Sequence, residues 1–222
     1  MLKDLFPNVI PEDLWEATLE TLYMTIISVI GTLILGLILG LLLFLTDKGN
    51  VWQNRFVNFL TAVIVNVFRA IPFIILILLL FPFTDFIIGT IRGWEAAVPA
   101  LIIGAGPFYA RLVEIGLKEV DKGVIEAAKA MGAKTNTIIF KVLLPESMPA
   151  LISGLTVTGI ALIGYTAIAG VIGAGGLGSL AYLQGFQRRD FDVILACTIL
   201  IIIIVFIFQF IGDLLSKVID KR

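Results

Sequence analysis

The chain has 222 residues, of which 59% are hydrophobic and 15% are charged, and its mean hydropathy is +1.06. A soluble domain of this length cannot bury so much apolar surface, so the composition excludes a soluble globular protein and predicts a membrane protein. The lack of histidine and the single cysteine, Cys197, exclude an intrachain disulfide and a histidine–cysteine metal cluster. The net charge of -1 favours no class of charged partner.

Three apolar runs precede the most polar internal segment. The first, from Thr21 to Thr46, has no charged residue and is long enough to cross a bilayer at 1.5 Å per residue, whereas residues 2–14 predict an irregular or interfacial start. The second runs from Phe56 to about Pro82 and is interrupted by Arg69 and Pro72, and the third covers residues 96–117. We expect each run to form one transmembrane helix.

Two further apolar runs follow that polar segment. The stretch from Ser147 to Gln187 has no charge and is too long for one span, so the glycines after Gly170 predict a helix followed by a loop or re-entrant turn. A last span is predicted from Val193 to Gly212. The sequence thus predicts an all-α polytopic membrane protein with five transmembrane helices, in one domain over residues 1–222.

The distribution of basic residues predicts the orientation, because cytoplasmic loops are enriched in lysine and arginine. With five spans, one side carries Lys48, Arg55, Lys118, Lys122, Lys129, Lys134, Lys141, Lys217, Lys221 and Arg222. The other side carries Lys3, Arg92, Arg188 and Arg189. We therefore expect the N-terminus outside, the C-terminus in the cytoplasm, and the polar segment between spans 3 and 4 in the cytoplasm.

That polar segment, residues 122–145, predicts two short helices. Val124, Ala127, Ala128 and Met131 recur at helical spacing and form one apolar face, while charged residues lie off it. Gly132 is placed to end the first helix. Thr135 or Asn136 is expected to cap a second helix over residues 137–143, with Pro145 ending it and Pro149 opening the next.

The same segment carries a recognisable motif. It has Glu126-Ala127-Ala128, then Gly132 after three residues, and nine residues later Val142-x-Leu144-Pro145. This pattern resembles the EAA signature of ABC importer permeases, with Val142 in place of isoleucine. The resemblance implies coupling helices that dock on a cytoplasmic ATPase, with these ATPase-coupling residues: Glu126, Ala127, Ala128, Met131, Gly132, Leu144 and Pro145. The alternative is an amphipathic loop helix on the membrane surface.

Two more segments resemble methionine-type permeases of this family: Asn66-Val-Phe-Arg69-Ala-Ile-Pro72-Phe and the run beginning Gly170-Val-Ile-Gly. The resemblance implies a non-enzymatic homodimeric permease without cofactor in the bacterial plasma membrane. Its implied partners are two copies of an ABC ATPase and an extracytoplasmic substrate-binding lipoprotein, with no nucleic acid. The implied function is ATP-driven import of an amino acid, and methionine is the favoured substrate. The alternatives are another amino acid or small osmolyte, or a stand-alone secondary transporter, for which internal repeats and midplane carboxylates are lacking.

Four residues are candidates for the translocation pathway: Arg69, Pro72, Tyr165 and Ile168. Arg69, about 20 Å along its span, either lines the pathway or bonds carbonyls freed by Pro72, and the family resemblance favours the pathway. Tyr165 offers a hydroxyl to a polar solute, although the hydroxyl of Tyr165 or its neighbour Thr166 can also bond locally. Ile168, between two alanines, is expected to form an apolar gate.

The run from Gly173 to Gly178 matches the dinucleotide-binding fingerprint by letters alone. It follows an apolar span rather than a strand and lacks the expected acidic residue, so the sequence argues against nucleotide binding. The glycines instead predict tight backbone turns and close packing.

Overall fold

A long first helix, α1 (Pro11–Thr46), packs against the helices Arg55–Ala70, Trp94–Lys118, Leu144–Ala169 and Gly176–Leu180. The computed structural model describes residues 8–220. Pro11 lies in the first turn and is followed by two acidic residues, which favours a start at this point because proline lacks the unpaired N–H and carboxylates complement the positive helix end. The predicted irregular segment over residues 2–14 was therefore wrong from Pro11 onwards, and its residues before Asn8 lie outside the described range.

The second predicted span is broken into separate helices. These are α2 (Arg55–Ala70), α3 (Phe73–Leu79) and α4 (Phe81–Ile88), and α2 and α3 meet at an angle of 107°. Ile71 adopts an extended conformation (φ -78°, ψ 122°), because the ring of Pro72 disfavours the helical conformation in the residue before it. The predicted interruption of this span at Pro72 is confirmed, and the bend places Arg69 at a helix end.

The third span, α5 (Trp94–Lys118), packs along α1. A Cβ added at Gly36 of α1 would lie 2.6 Å from the ring of Tyr109, and one at Gly40 would lie 2.5 Å from Val113. These two glycines therefore permit close packing of α1 and α5, and the contact lies within one chain. It fixes α5, and with it the segment that follows.

The polar segment forms α6 (Lys122–Ala130) and α7 (Thr135–Ile138), followed by a π-helical turn (Ile139–Leu143) and the long helix α8 (Leu144–Ala169). The prediction that Pro145 ends a helix was wrong, because Pro145 lies in the first turn of α8 and Pro149 lies within it. The widened π turn immediately before Pro145 makes room for a ring that would otherwise clash with the carbonyl four residues earlier. The chain therefore continues from the polar segment into the fourth span without a break.

A glycine-rich turn follows α8. After a π-helical turn (Gly170–Ala174) come α9 (Gly176–Leu180), a second π-helical turn (Ala181–Phe186) and the last helix, α10 (Phe191–Ile219). Gly173, Gly175 and Gly176 have φ of 105°, 80° and 76°, values that favour glycine. This confirms the predicted turn after Gly170.

Contacts between distant residues define two ends of the bundle. Where α1 begins, the N–H of Gly176 donates to the carboxylate of Glu20 (2.6 Å), and we call this the Glu20 end. Where α1 finishes, the ammonium of Lys118 lies 3.2 Å from the carboxylate of Asp47, and we call this the Asp47 end. The last residue of α5 therefore lies at the Asp47 end, and the glycine-rich turn after α8 lies at the Glu20 end.

The broken second span also joins these two ends. Near its start, the amide of Asn58 donates to the carbonyl of Leu43 (2.8 Å) close to the Asp47 end. Beyond α4, the N–H of Gly93 donates to the carbonyl of Gly173 (3.1 Å) at the Glu20 end. Although bent, the segment from α2 to α4 thus crosses the bundle.

The chain consequently crosses the bundle five times. Among residues 8–220, four helices are long and apolar enough to span a membrane, and the bent pair adds a fifth crossing. The start of α10 lies at the Glu20 end, where Asp192 accepts the N–H of Asn8 (2.8 Å), and Ser216 near its finish contacts the carbonyl of Pro149 at the Asp47 end. The two ends of the described chain therefore lie on opposite sides, while Lys3, Lys221 and Arg222 lie outside the described residues.

Candidate functional site

Helix α6 has a firmly defined start and finish. The side chain of Asp121 accepts the N–H of Gly123 (2.8 Å) and caps the first turn. At the other end the N–H of Gly132 donates to Lys129 (2.9 Å) and that of Ala133 to Ala128 (3.0 Å), the paired bonds of a Schellman motif. Gly132 has φ 76°, as this motif requires, so its predicted role as the helix end is confirmed.

One side of α6 is buried against the rest of the chain. Ala128 is 5% exposed and, with the partly buried Ile125, packs in a hydrophobic cluster that contains Leu117 and Ile138. Ala128 was predicted to share one apolar, partner-facing surface with Val124, Ala127 and Met131. That prediction is wrong for Ala128, because the body of the protein covers it and leaves the other three exposed. Ala128 anchors the helix instead of presenting itself to a partner.

The opposite side of α6 is exposed and small. At 100° per residue, Gly123, Ala127 and Ala130 lie away from the buried side, and all three are exposed. We call these three residues the docking face. Met131, 82% exposed, borders this face at the helix end. Glu126 is also exposed, and it lies in the second turn because the helix starts at Lys122.

The second half of the motif holds the segment in place. Leu144 is partly buried and packs against the same cluster as Ala128, while Pro145 is exposed in the first turn of α8. Ile138, Ile139 and Leu143 of α7 and the π turn are buried, and this segment leads directly into the fourth span.

A chain of charges ties α5 to the turn after α1. Glu114, buried, accepts from Arg111 (2.5 Å) and Lys118 (2.7 Å), and Lys118 also pairs with Asp47. The N–H of Lys48 and the Lys118 ammonium lower the pKa of Asp47, which keeps that carboxylate ionised at neutral pH. Arg111 and Glu114 are three residues apart, whereas Asp47 is too distant in sequence from Lys118 to have been recognised as its partner.

Two N–H groups of the glycine-rich turn are bonded to side chains of α1. The N–H of Gly176 is bonded to Glu20, and that of Leu177 to the hydroxyl of Thr21 (2.9 Å). Side chains of α1 therefore occupy the amino end of α9, which supports the argument against nucleotide binding. Nothing in the local sequence marked Glu20 for this role, because its partner is 156 residues away.

A cavity of about 130 Å³ lies beside the bend between α2 and α3. It brings together two of the predicted pathway residues, Arg69 and Tyr165. Pro72 lies at the bend itself as the N-cap of α3. Ile168 does not line this cavity, and packs partly buried against the cluster that contains Phe73.

The hydroxyls of two neighbouring residues have different surroundings. Thr166 donates to the carbonyl of Ile163 (2.7 Å) within its own helix, so its hydroxyl is not available to a solute. Tyr165 stacks on Phe73, with ring centroids 4.5 Å apart and planes at 5°. Of the two, only Tyr165 faces the cavity.

Comparison with known proteins matches residues 32–222 to the family described as binding-protein-dependent transport system inner membrane component. The chain is 67% identical over 222 residues, 100% of both proteins, to the methionine import system permease protein MetP of Bacillus subtilis (strain 168). It is 46% identical over 213 residues to the probable D-methionine transport system permease protein MetI of Pasteurella multocida (strain Pm70), covering 94% of this chain and 98% of the relative.

Solved structures give the same result at the level of the fold. An inward-facing native crystal form of the MetNI methionine ABC transporter matches 94% of this chain and 97% of its own chain, with a TM-score of 0.92 and 42% identity. An amino acid ABC transporter determined with histidines has the same fold, with a TM-score of 0.76 at 20% identity over 93% of this chain. The predicted five-span layout is that of a known transporter fold.

Proposed function

Because the chain belongs to the family of binding-protein-dependent transport system inner membrane components, we propose that it is the permease subunit of an ATP-driven importer of methionine. The observation that carries this proposal is the similarity to a methionine import permease over the full length of both chains. Residues 1–222 form one permease domain, which two copies assemble into a homodimer with the substrate pathway between them.

The energy for import comes from a separate ATPase. Two copies of a cytoplasmic ABC ATPase receive α6 through the docking face, and an extracytoplasmic binding lipoprotein delivers substrate at the Glu20 end. Closure of the ATPases on ATP moves α6, and the direct connection through the π turn carries that motion to α8. The pathway then opens outward, as alternating access requires.

Reconstitution tests this function directly. The permease, its ATPase and its binding protein are placed in liposomes, and uptake of radiolabelled methionine is measured. We expect uptake that needs both ATP and the binding protein. Uptake driven by an ion gradient without ATP would instead support a secondary transporter, and competition by an excess of another amino acid or an osmolyte would reassign the substrate.

The orientation predicts where inserted cysteines react. Asn50→Cys and Lys134→Cys lie at the Asp47 end, which carries most of the basic residues and is therefore cytoplasmic. We expect an impermeant maleimide to label them only after the membrane is permeabilised. The native Cys197 is buried and gives no background.

A matched variant at the Glu20 end gives the control. Arg188 is exposed there, so Arg188→Cys should be labelled in intact cells. Labelling of Asn50→Cys or Lys134→Cys from outside would contradict the orientation.

Ile168 is proposed to close the pathway. It lies one turn beyond Gly164 in α8, is only partly buried within one chain, and has alanines on both sides. A large apolar side chain among small ones excludes water from a constriction. We expect Ile168→Ala to raise the basal ATPase activity of the complex or the leak of methionine by several-fold, whereas Ile168→Leu should preserve the closed state. Unchanged leak and coupling in Ile168→Ala would remove this residue from the pathway.

A further inference from the structure

The cavity beside the bend has buried and exposed walls, because Phe73 is buried and Arg69 is exposed in the single chain. Its walls come from α2, α3, α5 and α8, and Gly104, one of its lining residues, lies near the middle of α5. A Cβ at Gly104 would lie only 3.1 Å from the ring of Phe73, so the absence of a side chain there lets this ring pack closely against α5. The volume of the cavity, about 130 Å³, is close to that of an engineered cavity of about 150 Å³ that holds benzene.

Two hydrogen-bond donors that line this cavity have no acceptor. Within residues 8–220, neither the guanidinium of Arg69 nor the hydroxyl of Tyr165 forms a hydrogen bond or ion pair, and both line the cavity. A cation within a membrane span is costly unless it is paired or faces a water-filled space. A guanidinium carries five donors in a planar fork that matches a carboxylate. These two donors therefore suit the carboxylate of a ligand that binds transiently.

The remainder of the wall is apolar and largely aromatic. Phe73 and Tyr165 form a stacked pair, and Phe68 and Phe108 contribute two more rings. A thioether sulfur makes favourable contacts with aromatic rings and its flexible chain adapts to an irregular space. The two donors therefore suit a carboxylate, and the aromatic wall suits a thioether chain.

We propose that this cavity is a substrate-binding site within each permease, in which Arg69 and Tyr165 bind the α-carboxylate and the aromatic rings contact the side chain. The proposal rests on the function proposed above and assigns the site at which methionine rests between the binding protein and the cytoplasm. It assigns Arg69 to ligand binding, the first of the two roles left open by the sequence. The competing occupant of the same donors is an acceptor on a second copy of this chain.

Photolabelling of the purified permease–ATPase complex, without the binding protein, tests the site. A diazirine analogue of methionine is cross-linked and the adducts are mapped by mass spectrometry. We expect adducts on Phe73, Phe108 or Tyr165 that are competed by methionine and not by 3-(methylthio)propylamine, which lacks the carboxylate. Adducts competed equally by both compounds would overturn the assignment of a carboxylate site.

Variants then separate the groups. Arg69→Met keeps the length of the side chain and should reduce labelling roughly ten- to a hundred-fold, because a hydrogen-bonded charge pair is lost. Tyr165→Phe keeps the stacking on Phe73 and should reduce labelling roughly tenfold. Arg55→Met, at the other end of α2 and outside the cavity, is the matched control and should label as the wild type does.

The outcomes distinguish this site from the proposed function. A complex that imports methionine with ATP but shows no adduct in the cavity overturns the site and leaves the function intact. If Arg69→Met fails to accumulate, labelling of the wild type and Tyr165→Phe decides the matter. If the wild type shows no labelling and Arg69→Met loses its dimers, Arg69 instead contacts the second copy of the chain.

Discussion

Replacing Ala127 with tryptophan is expected to abolish association with the ATPase while the permease remains folded in the membrane. Ala127 lies in the centre of the docking face, is exposed, and has a side chain that lets a partner's backbone approach closely. An indole at this point would hold the two surfaces apart. We expect a loss of about 2–4 kcal/mol in binding, roughly 30- to 1000-fold in affinity, measured by co-purification and by methionine-stimulated ATP hydrolysis.

The matched control is Ala127→Ser, which changes polarity with little change in volume and should bind the ATPase normally. Ala130→Cys, on the same face, should cross-link to the ATPase in a manner that responds to nucleotide. Gly132→Val acts by a second route, because a β-branched residue is strained at φ 76° and would unwind the helix end. Normal coupling in both Ala127→Trp and Gly132→Val would falsify the assignment of α6 as the docking element.

Replacing Gly178 with alanine is expected to prevent stable folding of the Glu20 end of the bundle. A Cβ at Gly178 would lie within 2.8 Å of the carbonyl carbon of Ala167, so it meets backbone and not a movable side chain. Because α9 is also bonded to Glu20 and Thr21 of α1, it cannot retreat without breaking those bonds. We expect a cost of about 3 kcal/mol or more, seen as a lower thermal midpoint in detergent and less protein in the membrane.

Gly164 provides the comparison for this substitution. It lies in α8, as Ala167 does, but nothing is within 4 Å of a Cβ placed there. Gly164→Ala should therefore retain the wild-type midpoint and yield. A Gly178→Ala protein as stable as Gly164→Ala would show that α9 does not pack against α8 in the membrane.

The polar segment, residues 122–145, shows how much of a structure can be predicted from local sequence pattern. Helical spacing and the Gly132 signal predicted α6 and its end, because those depend on residues within one or two turns. The pattern did not separate Ala127 from Ala128, since neighbouring alanines are alike in sequence and only packing against Leu117 and Ile138 covers one of them. The better target for a docking variant therefore emerged from burial.

Proline gave opposite outcomes at two places. Pro72 was expected to interrupt the second span, and the chain turns by 107° there. Pro145 was expected to end a helix, and instead the preceding π turn accommodates it. The ring forbids the same local contacts in both cases, and the surrounding helices decide whether the chain bends or widens its turn.

The sequence by itself determined that this is a membrane protein with five spans and an ABC permease motif at its basic end. It could do so because hydropathy, charge and motif spacing are local quantities. Tertiary structure decided which residues meet: Glu20 with the amino end of α9, Asp47 with Lys118, and Arg69 with Tyr165 in one cavity. Each of these pairs joins residues that are far apart in the chain. Their contact depends on how the helices pack, which no single segment specifies.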